Sequence, residues 1–88
     1  MLRHNVAKYR KRPLVVEAVQ LTDADFDAPH PFAGHIKGVI YCPITRTAEI
    51  YTLEGVMRAS VGSWIIRGVN GELYPIKDAI FRETYEAI

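Results

Sequence analysis

The dipeptide Asn70-Gly71, which lies between two apolar runs, is the feature that most constrains the fold of this 88-residue chain. Asn-Gly tolerates the positive φ that both central residues of a type I′ turn require, so the flanking runs are predicted to form a β-hairpin. A two-residue loop fixes which residues face each other across the strands. The pairs on one face would be Val69 with Glu72, Arg67 with Tyr74, and Ile65 with Ile76.

The opposite face of the predicted hairpin is apolar. It carries Trp64, Ile66 and Gly68 against Leu73 and Pro75. Because Pro75 cannot donate to a ladder, it predicts an outer position in the sheet. We expect the Trp64 indole to be sealed inside the domain, where burial of its large ring stabilises the fold.

Three further apolar runs predict additional short strands. Leu14 to Leu21 is apolar on both sides, which indicates a central or two-sided strand. Glu17 would then be half-buried, beside a partner such as Arg67 or at a rim position. Val39 to Ile44 and Ala48 to Leu53 are predicted to be the second and third strands.

Proline and glycine modify these two strands. Pro43 removes a ladder donor, which favours an edge position or a bulge. Gly55 would bend the third strand, which then resumes from Val56 to Ser60. A sheet bent in this way would curl over its own core.

Helix signals are short and lie near the two ends of the domain. Thr22 and Asp25 have the capping-box spacing and predict a helical turn that carries Phe26. Asp78 is predicted to cap a helix from Ala79 to Thr84. The face of this helix that covers the sheet would carry Ile80, Phe81, Thr84 and Tyr85.

These elements predict an α+β domain with a small, curled, mostly antiparallel sheet of five or six strands and one or two short helices. Residues 85–88 would add a last short strand. The domain would span residues 13–88, and residues 1–12 would form a basic N-terminal arm. One domain is what a chain of this length supports.

The composition excludes several classes of protein. The formal net charge is +1, which gives no strong overall attraction to nucleic acid or anionic lipid. The single cysteine, Cys42, excludes an internal disulfide framework and cysteine-based zinc ligation. No apolar run approaches the ~18 residues of a membrane span, and no signal peptide is found. The chain is therefore predicted to be cytoplasmic, without a membrane partner.

The N-terminal arm concentrates positive charge and has no acidic residue. Five of the eleven basic residues of the chain lie in it. Four of these are candidate contacts for an anionic partner: Lys8, Arg10, Lys11 and Arg12. Such an arm is typical of segments that bind nucleic acid phosphates or an acidic protein. The alternative is a solvated terminus whose charges protect a sheet edge.

The polar face of the hairpin is a second candidate binding surface, formed by Arg67, Glu72 and Tyr74. Arg67 would stack on Tyr74 and keep guanidinium donors free for an anion or a carboxylate. The alternative is that the three side chains only stabilise the hairpin across its strands, at about 0.2–1 kcal/mol each.

No combination of residues predicts a catalytic or metal site. The side chains considered were Glu17, His30, His35 and Cys42. His30 and His35 lie in a loop near Asp23, Asp25 and Asp27, and their spacing matches no zinc motif. A nucleophile, a base and an orienting group cannot be assembled from this set. We therefore predict no cofactor, no metal and no enzymatic activity.

Part of the sequence resembles a small family of phage and prophage proteins. Members commonly carry the pattern LEG-M-A--GDWIIRGV-GE-YP-KPDIFE-TYE, and this chain has LEG at 53–55, GSWIIRGVNGELYP at 62–75, IF at 80–81 and TYE at 84–86. The opening YRKRPLVVEA at 9–18 resembles the start of the same proteins. Ser63 stands where the family often has Asp, and Ile76-Lys77-Asp78-Ala79 stands where it often has Cys-Lys-Pro-Asp. No role for that acid or that thiol carries over.

The resemblance implies a phage or prophage origin and a bacterial host cell, and it brings no activity, cofactor or catalytic residue. We expect a non-enzymatic accessory protein that binds a host or phage macromolecule, either a protein or, through the arm, nucleic acid. The alternative is a structural or assembly protein that acts through homo-oligomerisation. Exposed edge strands would support such contacts, with Val61 or Ile76 at the interface.

Overall fold

Two three-stranded antiparallel sheets and one short helix make up the fold. The computed structural model describes residues 6–27 and 36–88. In chain order its elements are β1 (Glu17–Gln20), a 3₁₀ turn (Asp23–Phe26), β2 (Val39–Cys42), β3 (Thr47–Thr52), β4 (Gly55–Ser60), β5 (Trp64–Arg67), β6 (Leu73–Ile76) and α1 (Asp78–Thr84). Sheet A has the strand order β1-β5-β6, and sheet B has the order β2-β3-β4. The predicted α+β class with antiparallel strands is confirmed, whereas the single curled sheet is wrong.

The chain reverses at Leu53-Glu54, and this turn divides the predicted third strand into β3 and β4. The Thr52 hydroxyl donates to the Gly55 carbonyl oxygen at 2.6 Å and accepts the Glu54 amide N–H at 3.1 Å. Gly55 has φ 110°, a left-handed value that favours glycine. Gly55 therefore closes a hairpin, in which β3 and β4 pair antiparallel, and does not bend a continuous strand.

The hairpin predicted at Asn70-Gly71 is confirmed, and its loop has three residues where two were predicted. The Gly71 amide donates to the Gly68 carbonyl at 3.0 Å, and the Gly68 amide donates to the Glu72 carbonyl at 2.8 Å. Gly71 has φ 81°, whereas Asn70 does not have a positive φ. The turn is therefore a type I turn followed by a left-handed glycine bulge.

The longer loop shifts the register of β5 and β6 by one residue. The cross-strand pairs are Trp64 with Ile76, Ile65 with Pro75, Ile66 with Tyr74, and Arg67 with Leu73. Because side chains alternate between the two faces of a strand, a one-residue shift exchanges which residues share a face. The three predicted pairs are therefore wrong, including Arg67 with Tyr74.

Strand β1 is an edge strand of four residues, and not the central strand predicted for residues 14–21. Its Glu17 lies opposite Arg67 in β5. The Glu17 Oε1 atom is 3.4 Å from Arg67 Nη1, so the predicted partner is confirmed. The predicted half-burial of Glu17 is wrong: its side chain is 79% exposed, because an edge strand has a neighbour on one side only.

The main core lies between the two sheets, where β6 packs against β3 and β4. Its buried residues are Leu21, Phe26, Val39, Ala48, Ile50, Ala59, Ile65 and Leu73. The predicted helical turn contributes Phe26, whose ring packs edge-on against the Tyr41 ring with 5.7 Å between the ring centroids. The Asp25 carboxylate accepts the Thr22 amide N–H at 2.7 Å, which confirms the predicted capping interaction.

A second apolar layer lies on the other face of sheet A, beneath α1. Ile66 is fully buried on this face. The Trp64 indole stacks on the Phe81 ring, with 3.9 Å between centroids and 9° between planes. The indole is nevertheless only half-buried, because a single short helix covers this side of the sheet. The prediction that it is sealed inside is therefore wrong.

Asp78 is the first residue of α1 and not its cap, which is Lys77. Its carboxylate instead accepts hydrogen bonds from three elements. The donors are Trp64 Nε1 at 2.9 Å, Gln20 Nε2 at 3.3 Å and Arg82 Nε at 2.9 Å. This one carboxylate therefore joins β1, β5 and α1.

The predicted sheet-facing side of α1 is correct in part. Phe81 and Tyr85 are half-buried and stack on each other at 5.2 Å, whereas Ile80 and Thr84 are exposed. The last strand predicted at residues 85–88 is wrong, since these residues have no regular structure. No helix in the part of the chain that the structure describes is long and apolar enough to cross a membrane.

Replacing Ile66 with Ala should destabilise the domain strongly, because it removes apolar volume from a site with no solvent exposure. We expect the free energy of unfolding to fall by about 2–5 kcal/mol, measured by urea denaturation. Ile44 is 94% exposed, so Ile44→Ala should change the free energy of unfolding by no more than about 0.5 kcal/mol. Equal effects of the two substitutions would contradict the second apolar layer.

The stability of the fold should depend on the ionisation of Asp78. Hydrogen bonds from Trp64 and then Arg82 lower the pKa of this carboxyl from its ordinary value of 3.8. A lowered folded-state pKa stabilises the fold above the unfolded value, and that contribution is lost as pH falls through the folded value. Urea midpoints should therefore differ most between wild type and Asp78→Asn above about pH 4, and the difference should shrink at lower pH.

The matched control for this measurement is Glu54→Gln, which removes an exposed carboxylate at the β3–β4 turn. The urea midpoints of wild type and Asp78→Asn are compared from neutral pH to pH well below 3.8. If their difference stays constant over this range, the charge of Asp78 does not stabilise the fold.

Candidate functional site

The three residues of the predicted hairpin surface lie on two different faces of sheet A. Arg67 shares a face with Leu73, which belongs to the core between the sheets. Tyr74 lies opposite Ile66 on the face beneath α1. Arg67 therefore cannot stack on Tyr74, and the predicted surface is divided by the sheet itself.

A groove beside α1 brings two of the predicted surface residues together with two residues of the basic arm. This arm groove has a volume of about 290 Å³. Its polar lining consists of Lys11, Arg12, Glu72, Tyr74, Thr84 and Tyr85. Lys11 and Tyr85 are 74 positions apart in the sequence, and no local pattern signals that they meet.

Two phenols form the centre of the arm groove. The Tyr74 and Tyr85 hydroxyl oxygens are 3.3 Å apart, and either can donate to the other. Burial raises the pKa of Tyr74 to about 12, and the hydrogen bond with Tyr85 and the nearby Glu72 charge add to the shift. Tyr74 is therefore a neutral hydrogen-bond donor at physiological pH.

Glu72 has a structural task at the edge of the arm groove. Its carboxylate accepts the Asn70 amide N–H at 2.9 Å. The same carboxylate lies over Gly68, in the space that a side chain at that position would occupy. Glu72 therefore closes the β5–β6 turn, and a ligand would compete with this hydrogen bond.

The basic arm is exposed from residue 6 to residue 12 and has no regular secondary structure. Lys8, Arg10 and Arg12 make no ion pair with any residue in the described ranges. Lys11 is held against the domain, with its Nζ atom 5.4 Å from the centre of the Tyr85 ring. The arm is thus attached at its base and presents Lys8, Arg10 and Arg12 to solvent.

Charge is strongly divided between the arm and the domain. Residues 1–12 carry five basic and no acidic residues, a formal charge of +5, whereas residues 13–88 carry six basic and ten acidic residues, a formal charge of −4. The small net charge of +1 conceals this division. An anionic partner would therefore be attracted to the arm and repelled by most of the domain.

A larger cavity, the intersheet cleft, lies between the two sheets and has a volume of about 580 Å³. Apolar side chains such as Val19, Ile65 and Leu73 line it, and its polar groups include the Glu17–Arg67 ion pair. The cleft can hold an apolar group. Glu17 and Arg67 are paired with each other, and the Asp25 carboxylate accepts hydrogen bonds from Thr22, so nothing in the cleft indicates a particular ligand.

The side chains considered for catalysis are not brought together. Cys42 lies on the outer face of sheet B, because its neighbour Tyr41 faces the cleft and side chains alternate along a strand. Hydrogen bonds with Thr45 lower the pKa of the Cys42 thiol. Glu17 and Arg67 line the cleft and Cys42 does not, so the candidates among the described residues do not share one site.

The residues considered for metal binding have other partners or lie outside the described residues. His30 and His35 lie outside the described residues. Arg46 binds Asp27 at 2.9 Å and lies 3.8 Å from Asp23. Within residues 6–27 and 36–88, no three His, Cys, Asp or Glu side chains are grouped to hold a metal ion.

No family model, curated protein or solved structure matches this chain. The phage and prophage origin therefore stays a prediction based on the sequence pattern. The surfaces of the molecule itself, above all the arm and its groove, provide the basis for inferring a function.

The raised pKa of Tyr74 predicts a loss of stability at alkaline pH. A pKa raised in the folded state stabilises the fold below the unfolded value of 10.0, and this contribution is lost as pH rises through the folded value of about 12. Urea midpoints of the wild type should fall across this range, and those of Tyr74→Phe should fall less. Tyr51→Phe, at a tyrosine that is 52% exposed on sheet B, is the control and should behave as wild type.

Proposed function

We propose that this chain is a small phage- or prophage-type accessory protein that acts inside a bacterial cell by binding nucleic acid, without catalysis. The observation that supports this most is the basic arm. Lys8, Arg10 and Arg12 are exposed and make no ion pair with any described residue of the domain. Cations in this state attract phosphates and release condensed counterions when they bind.

An aromatic ring within the arm favours nucleic acid over other polyanions. Tyr9 is 91% exposed and lies between Lys8 and Arg10 in the sequence. Stacking of a base on an exposed ring, beside cations that contact the backbone, is the usual way in which proteins bind single strands. Single-stranded nucleic acid is therefore the preferred partner.

The arm groove extends this contact onto the domain. Lys11 and Arg12 line it together with the hydroxyls of Tyr74 and Tyr85. Because one of these hydroxyls donates to the other, the pair keeps one O–H free to donate to a phosphate oxygen. The contact between Lys11 and the Tyr85 ring directs the arm along the groove. The bound nucleic acid would part from the protein at this groove, because the remaining surface of the domain is acidic overall.

The affinity should be modest and strongly dependent on salt. Four arm cations within the described residues can neutralise about four phosphates, and each contributes about −0.7 to the slope of log K against log salt for single strands. The expected slope is about −3. Binding should therefore be measurable at low ionic strength and weak at high ionic strength.

The test is fluorescence anisotropy of labelled single-stranded and double-stranded oligonucleotides, titrated with the full chain at several salt concentrations. The double variant Lys8→Ala/Arg10→Ala should bind at least about tenfold more weakly at low salt, and its salt slope should be smaller by about 1.4. The matched control is Lys37→Ala/Lys77→Ala, which removes two exposed cations from the domain and should bind as wild type.

Equal losses in the arm and control variants would mean that the arm has no specific role. Binding that does not depend on salt would exclude phosphate contacts as its source. If no oligonucleotide binds at low salt but an acidic polypeptide binds through Lys8 and Arg10, the partner is a protein and not nucleic acid.

A further inference from the structure

The two sheets present four edges, and three of them carry features that discourage pairing with another chain. Strand β1 has four residues and an exposed acid, Glu17. Strand β2 has four residues and is followed by Pro43, and β6 contains Pro75. Short strands, charges and prolines are the usual protection of sheet edges.

The fourth edge, that of β4, lacks this protection. β4 has six residues, without a proline or an acid, and no strand lies beyond it in the described part of the chain. Its one charge, on Arg58, is directed to Glu49 of β3 at 3.3 Å within the same sheet. A long edge strand of this kind pairs readily with another strand.

Apolar side chains are exposed along the same edge. Val56 is 55% exposed and Met57 is 42% exposed. Tyr51 lies directly opposite Val56 in β3 and is 52% exposed. Unpaired backbone groups and exposed apolar side chains therefore occur together at β4.

We propose that two copies of the chain pair through β4, antiparallel and about a two-fold axis at Met57, so that the two B sheets form one six-stranded sheet. Met57 would face the partner's Met57 across the axis. Val56 would lie opposite the partner's Arg58, and Gly55 opposite the partner's Ala59. An isologous contact uses the same surface twice, which an antiparallel pair of identical strands provides.

The charge of Arg58 disfavours the register whose axis lies at Arg58. Moving the axis by one residue to Arg58 would place two like charges directly opposite each other, which destabilises a strand pair. With the axis at Met57, Arg58 lies opposite Val56 of the partner and keeps its own ion pair with Glu49 of β3. Val56 and Met57 of both copies then lie at the contact.

This dimer differs from the oligomer predicted from the sequence and is independent of the nucleic-acid proposal. The predicted contact involved Val61 or Ile76, whereas the β4 edge contains neither residue. β4 and the basic arm share no residue, so failure of one proposal leaves the other intact.

Sedimentation velocity of the full chain over a range of concentrations tests the dimer. The wild type should shift from monomer to dimer as concentration rises. Met57→Lys should remain monomeric, because it places two positive charges at the axis. Ile44→Lys, at a residue that is 94% exposed in the β2–β3 turn, is the matched control and should dimerise as wild type.

Disulfide trapping tests the register and does not depend on a destabilising change. In a Cys42→Ser background, Met57→Cys should form an intermolecular disulfide under mild oxidation, because directly opposed Cα atoms lie about 4.5–5.5 Å apart. Arg58→Cys should not form this disulfide. The two copies of residue 58 would be two positions out of register, so the distance between their Cα atoms would exceed the ~7 Å that a disulfide spans. Urea unfolding followed by Trp64 fluorescence checks that each variant is folded.

A wild type that stays monomeric at every concentration overturns the proposal. Dimerisation of Met57→Lys as strong as that of the control overturns it as well. Trapping at position 58 and not at position 57 overturns the register with its axis at Met57.

Discussion

The arrangement of the whole molecule depends on burial of both faces of β5. Ile65 and Ile66 are neighbours that point in opposite directions, yet both are almost completely buried, with exposures of 2% and 0%. Ile65 belongs to the core between the sheets, and Ile66 belongs to the layer beneath α1. A strand of four residues can satisfy both demands only as the central strand of sheet A, with sheet B on one side and the helix on the other.

Local signals allowed the element types to be predicted, but not the way in which they combine. Asn70-Gly71 predicted a reversal, and the reversal is present. Its loop length depends on whether Asn70 takes the left-handed conformation as well as Gly71, which the dipeptide leaves open. Gly55 was compatible with a bend and with a turn, and the Thr52 hydroxyl decides between them through two hydrogen bonds. Both ambiguities are local: the first changed the register of β5 and β6, and the second divided one predicted strand into β3 and β4.

The candidate site was predictable only in part, because local signals did not show how the elements combine. The arm cations were evident from composition, because a segment with basic residues and no acidic ones can be recognised before the fold is known. The hairpin surface required the correct register, and an error of one residue placed Arg67 and Tyr74 on one face when the sheet separates them. The contacts of Tyr85 with Lys11 and with Tyr74 join distant parts of the chain and have no sequence signature.

The hydrogen bonds of Asp78 have a consequence for how the domain comes apart. A seven-residue helix is too short to persist by itself in water. If α1 frayed, Trp64 and Gln20 would lose their acceptor and the stacked rings would separate. Local opening of the C-terminal end is therefore tied to opening of sheet A, and amide hydrogens in the two regions should exchange as one cooperative unit.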